Sequence, residues 1–223
     1  MKTLLNIIIA STLITFVIIQ NGCRKDGGNT EYPDVTANTD TINGTLKCWR
    51  TDTTVSQIIN WHFGIAVIKA MVAGSDEIAV GTVNADGTFS LILPATVSGI
   101  YFNSLAEIAS LQGGSIKATP ETVRFQGSTS FKVEYTESGK AKSFEVGLHT
   151  FKTDLSVEKT YYYNFYDSDG TFKGTGSGTY ANTFNWTFTK GWGLVETSFK
   201  SNTSTAINSV TVSSPTQNAI WIN

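Results

Sequence analysis

The chain has 223 residues, with 16 lysine and arginine residues against 18 aspartate and glutamate residues and a formal net charge of −2 at pH 7. This mild acidity, without blocks of either sign, argues against a nucleic-acid partner, because such a partner requires a basic surface. Two cysteines are too few for a disulfide framework, and the length suffices for one large or two small hydrophobic cores.

The first segment, residues 1–22, has the features of a secretory signal peptide. Lys2 supplies a basic start, and an apolar run from Leu4 to Ile19 follows it. At about 1.5 Å per residue this run of about 16 residues extends about 24 Å, short of the roughly 30 Å of bilayer hydrocarbon. We therefore predict that the segment is cleaved. The alternative is that it stays as an uncleaved membrane anchor.

Gly22, the last residue of this segment, is a small residue that directly precedes Cys23. This order resembles the lipobox of bacterial lipoproteins, in which the cysteine is diacylated and becomes the new N-terminus. Gln20 and Asn21 depart from the usual lipobox, but the charged stretch CRKDGGN is similar to that of Bacteroidetes lipoproteins exported to the surface. The resemblance implies that Cys23 is lipidated and that the protein is anchored in the outer membrane, at the cell surface. Ordinary secretion with a free Cys23 thiol is a further alternative.

Residues 23–39 carry glycine, proline and polar residues without periodicity, which predicts a flexible tether. From residue 40 onward, apolar and polar residues alternate with period two, as in half-buried β-strands. The alternation is clearest in TFSLILP, FKVEY, SFEVGL and TFNWTF. One helix is predicted in FNSLAEIASLQGG, with Ser104 as its N-cap and Gly113 and Gly114 as its stop.

Strand signals at intervals of roughly 8 to 12 residues, with this single helix, predict an all-β fold. The length and the break near Pro94 suggest tandem antiparallel β-sandwiches, Ig-like or transthyretin-like, after the cleaved lipoprotein signal peptide. The first sandwich is predicted to span residues 40–98, and its C-terminal boundary is expected between residues 98 and 125. The second sandwich, rich in aromatic residues, is predicted to span residues 99–223.

Three short motifs are predicted to be turns between strands. They are ESGK at Glu137–Lys140 and DGTF at both Asp86–Phe89 and Asp169–Phe172. The last motif extends to DSDG at Asp167–Gly170, which resembles the start of a calcium loop. No further acidic residue follows until Glu196, whereas calcium takes about six to eight oxygen ligands, so a hairpin turn is preferred.

Two longer resemblances involve these strands. Residues 41–94, from TINGTLK through GIAVIKAMVAGSDEIAVGTVNADGTFSLILP, are similar to transthyretin-like or carboxypeptidase-regulatory-like β-sandwiches, which implies a structural or binding module. The mature chain also resembles a family of uncharacterised Bacteroidetes surface lipoproteins, through TFSLILP, TYYYNFYDSDGTFKGTG, FNWTFTKGWGLVETSF and SSPTQNAIWIN. Gly193 stands where that family has asparagine after KGW. The family resemblance implies a lipid-anchored envelope protein but no particular activity.

The segment TYYYNFY is the candidate for a ligand site. Side chains alternate between the two faces of a strand. One face would carry Tyr161, Tyr163 and Phe165, and the other would carry Tyr162, Asn164 and Tyr166. Tyr162, Tyr166 and Trp192, which follows a turn, are therefore candidate aromatics for stacking on a glycan or contacting a peptide. The alternative is that one face is core and the other packs on the neighbouring domain.

Catalytic and metal-binding motifs are absent from the sequence, which has no G-x-S-x-G, no metal-ligand cluster and no phosphate loop. His62 and His149 are expected to be structural, and Cys48 is expected to be a buried core thiol. We therefore predict no catalytic residues, no metal and no cofactor. An envelope hydrolase that uses His62 or His149 is the least favoured alternative.

These observations predict a non-catalytic, lipid-anchored protein of the cell envelope that acts as a surface binding or adhesion component. The alternative is a glycan-binding accessory protein of an outer-membrane uptake system. The predicted partners are the membrane, through the N-terminal lipid, and a glycan or protein ligand. DTI at Asp40–Ile42 and DTT at Asp52–Thr54 also resemble the acceptor pattern of Bacteroidetes O-glycosylation.

Overall fold

The computed structural model describes four stretches of the chain, residues 33–50, 57–177, 182–199 and 206–222. The predicted signal peptide, Cys23, the first part of the tether and the motif at Asp52–Thr54 lie outside the described residues. Their predictions therefore stay predictions.

The described residues form an all-β fold, as predicted, with strands throughout and a single α-helix. The first nine strands are β1 (Val35–Thr36), β2 (Asp40–Arg50), β3 (Gln57–Asn60), β4 (Ala66–Val72), β5 (Asp76–Val83), β6 (Thr88–Leu93), β7 (Thr96–Val97), β8 (Asn103–Ser104) and β9 (Lys117–Thr119). The remaining strands are β10 (Arg124–Glu137), β11 (Lys140–Phe151), β12 (Val157–Tyr166), β13 (Gly170–Thr175), β14 (Thr183–Phe188), β15 (Gly191–Phe199), β16 (Ala206–Val212) and β17 (Ile220–Ile222). A 3₁₀ turn at Gly99–Tyr101 precedes helix α1, Leu105–Gln112.

Eight strands close into one ring of hydrogen-bonded neighbours. The order around the ring is β10, β4, β5, β6, β2, β17, β11 and β12, and β12 pairs back with β10. Closure depends on the long strand β10, which changes partner along its length. Phe125 and Thr129 pair with β12, whereas residues 131–137 pair with β11. The C-terminal strand β17 enters the ring parallel to β2, with Trp221 beside Leu46.

This ring replaces the tandem sandwiches predicted from the sequence. Strand β10 and the C-terminal strand β17 both complete the same closed sheet as β2, β4, β5 and β6. Period-two alternation identifies strands and their buried faces, but it does not identify partners that are distant in the sequence. The all-β class is confirmed, while the arrangement of the strands depends on these long-range pairings.

From β12 the sheet continues outward through β15, β16, β14, β13 and β9, so the described strands bury two main cores. The first core fills the ring and includes Leu46, Ile68, Leu91, Val133, Leu148, Tyr161 and Trp221. The second core lies between the outward strands and α1 and includes Leu105, Phe125, Tyr166, Phe172, Trp186, Phe188 and Val195. Because β12 contributes to both cores, it connects the two parts of the molecule.

A short strand pair lies beside the ring. β1 pairs with β7, which places Val35 opposite Val97, and both side chains are buried with Phe165. Burial of apolar side chains is the main favourable contribution to folding. Part of residues 33–39, the end of the predicted tether, is therefore packed against the folded chain.

The predicted helix and its N-cap are confirmed. Ser104 Oγ accepts a hydrogen bond from the Glu107 backbone N–H at 3.3 Å, and Leu105 and Ala109 are buried in the second core. Gly113 follows the helix with a φ of 63°, a left-handed conformation that glycine adopts without a Cβ clash. The segment is helical because its cap, apolar face and stop all agree.

Two of the three predicted turns connect paired strands. Residues 137–140 connect β10 to β11, and Gly87, with a φ of 87°, lies in the turn between β5 and β6. The third turn, Asp167–Gly170, does not close a hairpin. Strand β13 pairs with β14 and β9 instead of with β12, so this turn carries the chain from the ring to the outward strands.

The carboxylates of this third turn are held by protein groups. Asp167 accepts hydrogen bonds from the Arg124 backbone N–H at 2.9 Å and from Arg124 Nε at 2.7 Å. Asp169 accepts a hydrogen bond from the Lys190 backbone N–H at 2.8 Å. Within the described stretches, no group of three or more His, Cys, Asp or Glu side chains is placed to hold a metal ion. The two carboxylates anchor the turn to its neighbours.

Candidate functional site

The tyrosine-rich strand β12 lies between the two cores, and both of its faces are covered. Tyr161 and Tyr163 belong to the first core, and Tyr166 belongs to the second. The Tyr166 ring is fully buried and stacks on Phe188 with a centroid distance of 4.0 Å. Burial raises the pKa of the Tyr166 phenol above its usual range. Tyr166 therefore presents no ring face to a ligand.

The other two candidate aromatics, Tyr162 and Trp192, are half-buried and lie on opposite faces of the sheet. Tyr162 shares its face of β12 with Tyr166, because side chains alternate along a strand. Trp192 in β15 pairs with Phe165, with ring centroids 5.1 Å apart, and its indole Nε1 donates to Pro94 O at 2.8 Å. The structure therefore does not bring the three predicted residues together.

A cleft of about 640 Å³ opens at the edge of the first core. It lies where the start of β2, the connection between β14 and β15, strand β15 and the segment after β16 meet. Its aromatic lining consists of Tyr163, Phe188, Trp192 and Trp221, and its polar lining includes Asp40, Thr41, Asn43, Thr189, Ser213 and Ser214. Pockets for small ligands have volumes of about 300–1,000 Å³ and combine apolar walls with a few polar groups. We call this site the aromatic cleft.

The rings at the back of the aromatic cleft are positioned by the first core. Trp221 stacks on Tyr163 with a centroid distance of 6.5 Å and contacts Phe131 edge to face at 4.9 Å. Gly44 leaves room for the indole, because a Cβ at this position would lie 2.5 Å from Trp221 Cδ1. A side chain at position 44 would force the Trp221 indole to move, so Gly44 helps to shape the back wall.

One negative charge lies in the described lining of the aromatic cleft. This charge is Asp40, which is exposed and accepts a hydrogen bond from the Thr41 backbone N–H at 2.8 Å. No Lys, Arg or His is part of that described lining. Burial raises the pKa of Tyr163 to about 12, and the charge of Asp40 contributes to the same shift.

A hydrogen-bond network holds the segment that forms one wall of the aromatic cleft. Tyr161 OH donates to Glu196 Oε2 at 2.9 Å and lies 2.9 Å from Thr216 Oγ1. Lys159 Nζ lies 2.9 Å from Glu196 Oε1, and this contact raises the pKa of Lys159. Thr216 directly follows Pro215, which lines the cleft. We call these contacts the Tyr161 network, and they position this wall.

The two histidines and the described cysteine lie outside the aromatic cleft. His149 Nδ1 lies 2.9 Å from Thr160 Oγ1, and desolvation lowers its pKa to about 4. His62 is exposed, with Nδ1 3.4 Å from Asn60 O. Cys48 is buried, as predicted, and burial raises the pKa of its thiol to about 11. A protonated, buried thiol is a poor nucleophile.

A second cavity, of about 610 Å³, lies beside the hairpin of β10 and β11. Its charged groups are paired on the protein, since Glu134 Oε2 contacts Lys69 Nζ at 2.8 Å and Lys142 contacts Glu137. Tyr135 is its one aromatic lining residue among those described. The aromatic cleft, with its four rings and its open polar groups, is the better candidate for a ligand site.

Reasoning from the sequence missed Tyr163, Trp221 and Asp40 as site residues. Alternation did place Tyr163 on the opposite face from Tyr162, but it could not show which face borders a cavity. No local signal connects Asp40, at the start of β2, with Trp221 in β17. The parallel pairing of β17 with β2 brings both residues into the lining of the aromatic cleft.

The fold and the site define an all-β protein with an aromatic cleft. Comparison of the chain with protein families, with curated proteins and with solved structures gives no match. No helix in the described part of the chain is long and apolar enough to cross a membrane.

Proposed function

We propose that this chain is a non-catalytic, lipid-anchored protein of the bacterial outer membrane that binds a ligand at the cell surface through the aromatic cleft. The observation that supports ligand binding is the aromatic cleft itself, where Tyr163, Trp192 and Trp221 meet open hydroxyl groups. The proposed anchor depends on Gly22 and Cys23 at the end of the signal segment, and on the resemblance to Bacteroidetes surface lipoproteins.

The charges of the aromatic cleft favour binding over hydrolysis. Most glycoside hydrolases use two carboxyl groups about 5–9.5 Å apart, one on each side of the scissile bond. The described lining of the cleft supplies one carboxylate, Asp40. His62 and His149 do not belong to that lining, so the hydrolase alternative, which depends on one of these histidines, is not supported at this site.

The composition of the aromatic cleft also supports the second candidate, a glycan-binding accessory protein of an outer-membrane uptake system. Aromatic rings offer flat apolar faces, and hydroxyl and amide groups offer hydrogen bonds to sugar hydroxyls. Thr189 and Ser214 are exposed beside the half-buried Trp192. A surface adhesin and an uptake protein would share this site and differ in their partners.

The anchor is tested by metabolic labelling with palmitate. The full chain is expected to incorporate label and to fractionate with the outer membrane, and Cys23→Ala is expected to lose both properties. Cys48→Ala is the matched control, because Cys48 is buried in the first core and is expected to carry no lipid. Membrane attachment of Cys23→Ala would contradict the proposed anchor.

The ligand site is tested with glycan and peptide arrays probed by the purified full chain. Trp192→Ala is expected to lose binding to the ligands that the wild-type chain binds, because Trp192 lines the aromatic cleft. Tyr162→Ala, a change on the opposite face of the sheet, is expected to retain that binding. Absence of any ligand, or equal binding by Trp192→Ala, would argue against ligand binding through this cleft.

A further inference from the structure

The aromatic cleft contains hydroxyl groups that the protein leaves open. Thr211 Oγ1 is occupied, since it donates to Thr187 O at 2.8 Å and accepts from the Thr187 backbone N–H at 3.0 Å. The hydroxyls of Thr189, Ser213 and Ser214 have no such protein partner among the described residues. Each hydroxyl can both donate and accept, which suits a ligand that itself carries many hydroxyls.

The charge of the aromatic cleft restricts the kind of ligand. Asp40 accepts one hydrogen bond from the Thr41 backbone through Oδ1, so Oδ2 remains available to a ligand donor. An ionised carboxylate accepts strong, short hydrogen bonds from hydroxyl groups. An acidic ligand would instead place a second negative charge beside Asp40, and no basic side chain of the described lining would compensate it.

The rings give the aromatic cleft an apolar face next to these polar groups. Trp192 is half-buried, and the hydrogen bond from its Nε1 to Pro94 O fixes the orientation of its indole. Trp221 and Tyr163 are held by core packing behind it. A pyranose ring has an apolar face of C–H groups and a rim of hydroxyls, and this distribution matches fixed rings bordered by open hydroxyls.

We propose that the aromatic cleft binds a neutral saccharide, with Trp192 against the face of a sugar ring and Asp40 accepting hydrogen bonds from sugar hydroxyls. Asp40 is then the specificity-determining residue, because it attracts hydroxyl donors and repels acidic sugars. This inference rests on the proposed function of the same site and adds the chemical class of the ligand. In this proposal the aromatic cleft selects its ligand by charge as well as by shape.

The test is titration calorimetry of the purified full chain with four trisaccharides of matched length. Cellotriose, maltotriose and triacetylchitotriose are the neutral probes, and trigalacturonic acid is the acidic probe. At least one neutral probe is expected to bind. The acidic probe is expected to bind with an affinity at least about tenfold lower, which corresponds to about 1.4 kcal/mol of binding free energy. Stronger binding of the acidic probe, or no binding of any neutral probe, would overturn the inference.

Three variants identify the residues responsible. Asp40→Asn is expected to lower the affinity for the neutral probe by about tenfold or more, because a hydrogen bond to a charged group is lost. Asp40→Asn is also expected to reduce the discrimination against the acidic probe, a result that a merely structural role would not produce. Trp192→Ala is expected to abolish binding. Asp154→Asn, at an exposed turn outside the aromatic cleft, is the control and is expected to bind as the wild type does.

Failure of this inference can be distinguished from failure of the proposed function. If acidic glycans or peptides bind and Trp192→Ala abolishes that binding, the cleft remains a ligand site and the neutral-saccharide inference is wrong. If Asp40→Asn leaves both neutral binding and discrimination unchanged, the assigned role of Asp40 is wrong. If neither array contains a ligand, the proposed function itself is contradicted.

Discussion

The two faces of β12 carry similar aromatic side chains but meet different surroundings. On one face, Tyr166 is stacked on Phe188 and covered by the second core. On the other, Tyr163 packs against Trp221 and borders the aromatic cleft. The difference comes from the elements that cover each face, because α1 and the outward strands enclose Tyr166. A run of tyrosines therefore indicates a buried strand with two apolar faces, and the surrounding elements decide which face can meet a ligand.

The largest expected effect is a loss of stability in Tyr166→Ala. Removal of this fully buried ring is expected to lower the free energy of unfolding by about 3–5 kcal/mol, because it leaves a cavity in the second core. Tyr163→Ala is expected to cost about half as much, since the space it leaves opens into the aromatic cleft. Urea unfolding followed by tryptophan fluorescence measures both changes. Equal losses would show that the two faces are covered to the same extent.

The next largest effect is a pH dependence caused by His149, which shares the Tyr166 face of the sheet through its pairing with Thr160. Its pKa in the folded protein is about 4, below the ordinary value of 6.5. Between these values the unfolded chain binds a proton that the folded chain does not, so stability falls as pH falls from 6.5 to 4. The loss in the free energy of unfolding amounts to about 3 kcal/mol at most.

Urea unfolding at several pH values tests this dependence. His149→Gln is expected to lose this part of the pH dependence, because glutamine does not titrate. His62→Gln, a change at the exposed histidine, is expected to keep it. If both variants show the same slope between pH 6.5 and 4, desolvation of His149 is not its cause.

A smaller effect is expected from Gly44→Ala, which tests how the back of the aromatic cleft is formed. The added methyl group would lie 2.5 Å from Trp221 Cδ1, so the indole must move, at a cost of about 2 kcal/mol. Gly176→Ala is the matched control, because the nearest atoms to its Cβ would lie 3.5 Å away. Thermal unfolding gives the stability change, and a shift of the tryptophan emission would report the displaced indole. An unchanged Gly44→Ala protein would show that this packing is loose.

The smallest effect is expected from Tyr161→Phe, which removes the hydroxyl of the Tyr161 network. Loss of the contacts with Glu196 and Thr216 is expected to lower the free energy of unfolding by about 1.5 kcal/mol. The variant is also expected to bind cleft ligands more weakly, because the wall after β16 loses its attachment. Tyr101→Phe removes an exposed hydrogen bond to Asp76 and should change neither property. Identical results for the two variants would contradict the positioning role of the Tyr161 network.

Local features of this protein were predicted well from the sequence. The alternation of Phe89, Leu91 and Leu93 identified the buried face of β6, and the hydroxyl of Ser104 identified the start of α1. Cys48 was expected to be a buried core thiol, and it is buried. These predictions succeed because the features depend on neighbours within a few residues, where side-chain periodicity and capping chemistry determine the local structure.

The predictions that were wrong involve packing and pairing partners that are distant along the chain. The turn at Asp167–Gly170 has the composition of a hairpin turn, yet β13 pairs with β14 because the second core takes Phe172. Tyr166 was one candidate for stacking on a ligand, and the same core covers it. Nothing within β12 specifies what packs on each of its faces.

The sequence by itself determined that this chain forms strands, where most of them lie, and which residues alternate toward an interior. It also supplied the cysteine motif on which the proposed lipid anchor depends. Only the tertiary structure decided that β10 changes partner and that β17 returns beside β2, closing the ring. The aromatic cleft follows from that closure, because Asp40 in β2 and Trp221 in β17 line it together only when these two strands share one sheet. Period and capping act over a few residues, whereas strand pairing and burial act across the whole chain.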